Sequence, residues 1–141
     1  MNQLYKQLID LLNTSYSDLT TSTLKVIDNL TNAGFDFDLT NDTFFKRLMK
    51  ILSKLTHSSL NQIDIVFKLL CKIFMTKTPK MTHVEYEILF FSLKEYMNLS
   101  EEVLGPLELL NILISTKFVK PQVYDLIPNT MAITHVTLTL R

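Results

Sequence analysis

The residues of this chain that could act on a ligand are few. Lys46, Lys50 and Lys54 fall at i, i+4 and i+8, with Arg47 beside them. On a helix that spacing makes one basic face, a weak stripe able to contact phosphates. The same spacing also describes the solvated side of an amphipathic helix. Asp36, Asp38 and Asp42 form one acidic cluster. A calcium loop would need glycine at its sixth position and glutamate at its twelfth. Counted from Asp36, those positions hold Asn41 and Arg47. The aspartates are therefore expected to serve turns and caps ahead of a helix. His57, His83 and His135 share no ligand spacing with Cys71 or with a carboxylate pair. Cys71 sits between Leu70 and Ile73 and reads as a small buried hydrophobe. No catalytic, cofactor or metal site is expected, and no small-molecule substrate.

Composition narrows the classes further. Fourteen basic and fourteen acidic residues give no net charge over 141 residues. Only Arg47 and Arg141 are arginines, and this balance argues against a dominant nucleic-acid footprint. Two glycines leave no Gly-rich phosphate loop and disfavour a many-turned β fold, while 47% hydrophobic residues suit a packed domain. The first ten residues carry charges and lack an apolar signal core. Apolar runs are broken by Lys or Glu well before the ~18 residues of a membrane span. Neither a membrane association nor glycosylation at the sequons Asn13, Asn29, Asn41 and Asn98 is expected.

The elements that would position these residues repeat at helical spacing. Leu4, Leu8, Leu11 and Leu12 mark one face of a first helix. A second carries Leu24, Ile27 and Leu30 from about residue 18 to 31 and ends at Gly34. A third follows Asn41 with Phe45, Leu48, Ile51, Leu52 and Leu55. Ser59 with Gln62, and Thr82 with Glu85, are capping boxes that open a fourth and a fifth helix. A sixth is expected over 100–117, a seventh from Pro121, and a strand-like tail over 134–140.

The helices also repeat as pairs. The cap candidates Ser17, Ser59 and Ser100 lie 42 and 41 residues apart. Seven residues after each stand Leu24, Val66 and Leu107, and ten after stand Ile27, Leu69 and Leu110. Asn41 and Thr82 are 41 apart, and they align Leu48 with Leu89, Met49 with Phe90, and Leu52 with Leu93. A ~41-residue period in paired helices lies in the HEAT/armadillo range. The expected fold is all-α: antiparallel helix pairs stacked as a HEAT/armadillo-like α-solenoid. Residues 1–141 would be one segment of about three to four pairs, a fragment of a longer repeat protein. Leu48, Leu52, Leu89 and Leu93 are expected to be buried between neighbouring pairs.

From Leu60 onward the chain resembles a known family. The first block is Ser59-Leu60-Asn61-Gln62-Ile63-Asp64-Ile65-Val66-Phe67-Lys68, with a basic turn through Lys77 and Lys80. The second is Met81-Thr82-His83-Val84-Glu85-Tyr86-Glu87-Ile88-Leu89. The third, over 109–127, is a Leu-rich helix, then Ser115, Lys117, Pro121 and Val123-Tyr124-Asp125. These blocks resemble an internal stretch of the Down-Regulated-In-Metastasis family, the long HEAT-repeat component of the small-subunit processome. Gln122, where an acidic residue is usual, and Pro128, inside a helix that normally continues, depart from its pattern. The resemblance implies a non-catalytic scaffold in small-subunit ribosomal RNA processing and ribosome biogenesis, located in the nucleus and nucleolus. Its implied partners are proteins and pre-ribosomal RNA within a large assembly. The alternative is a HEAT-type protein-interaction adaptor in nuclear transport or vesicle traffic.

Overall fold

A computed structural model describes residues 2–54, 60–99, 108–109 and 111–112. The chain divides into two compact units, Met1–Pro79 and Lys80–Arg141. The first holds α1 (Gln3–Leu11), α2 (Ser17–Asn32), α3 (Asp42–Leu52) and α4 (Leu60–Thr76); the second holds α5 (His83–Leu99). The described residues are helical or irregular, and the class is all-α. Glu108, Leu109, Asn111 and Ile112 are helical within the expected sixth helix. The rest of that helix, the seventh helix and the strand-like tail lie outside the described residues.

Local chemistry sets the helix ends. The Asn2 side chain accepts the Leu4 N–H at 2.8 Å, and the Asn41 side chain accepts the Phe44 N–H at 2.8 Å, so asparagine caps both α1 and α3. Gly34 closes α2 with φ of 84°, the left-handed conformation that glycine adopts without a Cβ penalty. At α5 the capping box closes both ways: the Glu85 N–H donates to Thr82 Oγ1 (3.2 Å), and the Thr82 N–H donates to Glu85 Oε1 (3.0 Å). Ser17, in contrast, is not a cap. It is the first helical residue, and the N-cap Tyr16 provides no side-chain hydrogen bond. Ser59 lies outside the described residues. The aspartates serve the α2–α3 loop, where Asp38 Oδ1 accepts the Thr40 N–H (3.0 Å) and hydroxyl (2.6 Å).

The buried faces match the expected ones with two adjustments. On α1 the inward set is Tyr5, Leu8, Ile9 and Leu12, at i, i+3, i+4 and i+7, while Leu4 and Leu11 are exposed. Counting leucines alone places the face about one position off, because Tyr5 and Ile9 belong to it. Leu30 on α2 is half-buried. Leu24, Ile27, Leu48, Leu52, Val66, Leu69, Leu89 and Leu93 are all buried. Helix α4 buries ten residues, among them Ile63, Phe67, Leu70, Cys71 and Phe74, around most of its circumference.

Within the first unit α1 packs on α2 and α3, and α4 packs on α2 and α3. Two polar groups on α4 fix its register on α2. The buried Gln62 amide donates to Ser17 O (3.4 Å) and Thr21 Oγ1 (3.1 Å) near the start of α2. The Lys72 ammonium donates to Asp28 Oδ1 (2.8 Å), Thr31 Oγ1 (2.7 Å) and Asn32 Oδ1 (2.6 Å) near its end. Start meets start and end meets end, so α2 and α4 run parallel. At the other pair, Lys50 Nζ of α3 donates to Asn13 Oδ1, just beyond α1, at 2.9 Å. The C-terminal ends of α1 and α3 therefore lie together, and these helices are also parallel.

Truncating Leu52, 1% exposed, or Leu93, fully buried, to alanine should each cost about 2–5 kcal/mol in chemical denaturation. Losses below about 0.5 kcal/mol at both would contradict core positions for these leucines.

Candidate phosphate-contacting cleft

Helix α3 carries Lys46 and Lys50 one turn apart, both exposed. Ser53 is its C-cap, so Lys54 lies in the following turn and not on a helical stripe. The expected three-lysine face is thus shorter, because the helix ends at Leu52 instead of continuing to Leu55. Arg47 turns inward by half, and its Nε is enclosed with no hydrogen-bond partner among the described residues.

Lys50 and Lys54 nevertheless share a cleft of about 350 Å3. Its other wall is the α1–α2 turn with Asn13, Thr14, Ser15 and Ser17, and Gln62 of α4 lies at its base. Each part has a local reason to be there. The turn is polar because it must leave one helix and enter the next. Asn13 accepts the Lys50 ammonium, which holds that charge over the cleft without neutralising it. Helix α2 begins at Ser17 with no side-chain cap, so its first-turn N–H groups and the positive end of its dipole face this region. Exposed Asp18 in the same turn offsets part of that field.

Lysines, hydroxyls and a helix N-terminus together suit a phosphate oxygen better than any neutral ligand. The charge supply is small, and the arrangement fits one or two backbone contacts rather than base reading. Lys46 does not line the cleft. Asn13, Ser15, Ser17 and Gln62 are not legible as site residues in the sequence. Asn13, Ser15 and Ser17 stand 33 to 41 residues before the two lysines and Gln62 8 to 12 after them, none of the four holds a charge, and only the packing joins them.

The remaining sequence candidates are separated. His83 is exposed on α5 and meets Glu87 Oε1 at 2.8 Å across one turn. Cys71 is buried in α4. Burial raises the Tyr86 phenol above its ordinary pKa. Among the described residues no helix is long and apolar enough to cross a membrane. No family model matches the chain, and neither the curated proteins nor the solved structures give a significant match.

RNA binding through Lys46, Lys50 and Lys54 should be weak, with a log–log salt slope no steeper than about −3. Replacing Lys50 with Gln should flatten the slope on single-stranded RNA by about 0.7. Sub-micromolar affinity at physiological salt with a steep slope would contradict this assignment.

Proposed function

We propose that the chain is a non-catalytic scaffold segment built of HEAT-like stacked helix pairs, acting in small-subunit ribosomal RNA processing. One observation carries the architectural part. In an up-and-down four-helix bundle, packed neighbours run antiparallel and parallel helices sit on diagonals. Here α1 packs on α3 and α2 packs on α4, each pair parallel. That is the relation between equivalent helices of successive repeats. The hydrogen bonds joining α2 to α4 span 40 to 45 residues, bracketing the ~41-residue sequence period. The α1α2 pair stacked on the α3α4 pair is then two repeats, and on the sequence period α5 opens a third.

Stacked pairs expose long surfaces on which partners bind, and their stability comes from neighbour-to-neighbour interfaces. The functional part of the reading rests on the residue-level resemblance of residues 59–127 to the processome family. The cleft at Lys50 and Lys54 is compatible with glancing contact to pre-ribosomal RNA inside an assembly held chiefly by proteins.

Gradient fractionation of cells expressing the tagged protein tests this. The protein should co-sediment with nucleolar pre-ribosomal particles, and its depletion should lower small-subunit relative to large-subunit ribosomal RNA. Sedimentation with transport or vesicle fractions, with an unchanged ribosomal RNA ratio, would favour the adaptor alternative.

A further inference from the structure

The α1α2 layer has one face against α3 and α4 and an opposite face whose apolar residues are exposed. Thr21 and Asp28 bond Gln62 and Lys72 and so point toward α4. Leu19 and Val26 stand two positions before them, about 200° round the helix, and so point away from α4. Helix α1 runs antiparallel to α2 across the short turn between Leu11 and Ser17. Its buried arc reaches from Leu8 to Ile9 and meets both α2 and α3. For right-handed helices in this arrangement the Leu8 edge meets α2 and the Ile9 edge meets α3. Leu4 and Leu11 lie beyond the Leu8 edge, about 140–160° from Ile9. They therefore share the outward side with Leu19 and Val26. All four are at least 40% exposed. One such residue is ordinary on a surface, but four on one face of two adjacent helices form a patch.

The pattern on this face is symmetric along each helix. Leu4 and Leu11 bracket Gln7, and Leu19 and Val26 bracket Ser22, both centres being exposed and uncharged. Gln7 stands four residues before the end of α1 and Ser22 five after the start of α2, so the two centres are level. The charges sit on the flanks, also exposed: Lys6 and Asp10 on α1, Asp18 and Lys25 on α2. Each flank thus carries one charge of each sign, on opposite sides of its centre.

We propose that this face pairs with the same face of a second copy of the chain, about a two-fold axis that crosses the helices near Gln7 and Ser22. That rotation lays α1 antiparallel on α1 and α2 antiparallel on α2. Leu4 then meets Leu11 of the second copy, and Leu19 meets its Val26. The same rotation sets Lys6 against Asp10 and Asp18 against Lys25 of the second copy, each pair twice. Charge complementarity therefore favours a second copy in this one orientation. A two-fold along the helices would instead set Asp10 against Asp18 and Lys6 against Lys25. The face is roughly 20 Å by 20 Å, less than the ~800 Å2 that each partner buries in a stable dimer. The pairing is accordingly weak and reversible. It goes beyond the scaffold reading and uses only contacts within the first unit.

Sedimentation equilibrium of the purified full chain, from about 10 μM to about 1 mM, tests the pairing. The data should fit a monomer–dimer equilibrium. Leu11→Glu and Val26→Glu should each weaken it at least about tenfold at unchanged helicity. Lys25→Glu alone and Asp18→Lys alone set like charges against each other across the axis, and each should weaken self-association several-fold. An equimolar mixture of those two variants should regain the affinity of the unchanged chain, because every flank pair in the mixed dimer is again opposite in sign. Undiminished association of Leu11→Glu and Val26→Glu, or a mixture no tighter than its components, would overturn the proposal. So would a monomer throughout, which leaves the face to another polypeptide, or masses growing beyond two copies, which means head-to-tail stacking of repeats. Such a failure is separable from failure of the scaffold reading, because the fractionation experiment does not depend on this face.

Discussion

The parallel register of α4 on α2 is the constraint on which the first unit depends. Gln62 pins one end and Lys72 the other. The ten residues between them rise about 15 Å along α4, and the matching span of α2 is nearly equal. The Lys72 ammonium uses three donors on three acceptors, and the Gln62 amide is buried. A slip of one helical turn would break both sets of bonds and leave the buried Gln62 amide without partners, at about 1–3 kcal/mol. Apolar burial supplies most of the stabilisation, but burial is tolerant of sliding. The polar pins make one register preferable to its neighbours.

That register decides what each end of the unit presents. With α1 and α3 parallel, and α2 and α4 parallel, one end collects the α1–α2 turn, the end of α3 and the start of α4. There Lys50 and Lys54 face an uncapped helix start. The other end collects the start of α1, the α2–α3 loop and the end of α4, and carries Asp36 and Asp38 around an aromatic anchor. A chain of zero net charge thus has a basic and an acidic cleft at opposite ends of one unit. Net charge is a sum, and it says nothing about where the charges fall.

The helices are legible in the sequence because their signals are local. Asn41, Gly34 and the Thr82–Glu85 box act within a few residues of themselves, and each does what its type and spacing imply. Burial recurs at the positions that the ~41-residue spacing aligns, as at Leu24 and Val66 or Leu52 and Leu93. Ser17 misleads because a serine before an apolar run resembles a cap, whereas the chain enters the helix one residue earlier. The clefts are not legible. Tyr5 falls outside the leucine face of the first helix, and Asp36 and Asp38 read as turn formers, which Asp38 also is. Only packing of segments some 30 residues apart shows that these groups share a space.

Distances between paired spin labels test the parallel register most directly. Ser22 on α2 and Asn61 and Met75 on α4 are all exposed and can carry labels after replacement by cysteine. Stacked repeats predict a short Ser22–Asn61 distance. The Ser22–Met75 distance should exceed it by most of the roughly 20 Å that separates Asn61 from Met75 along α4. The reverse order, or equal distances, would mean antiparallel or crossed packing and would remove the structural basis for reading this chain as stacked repeats.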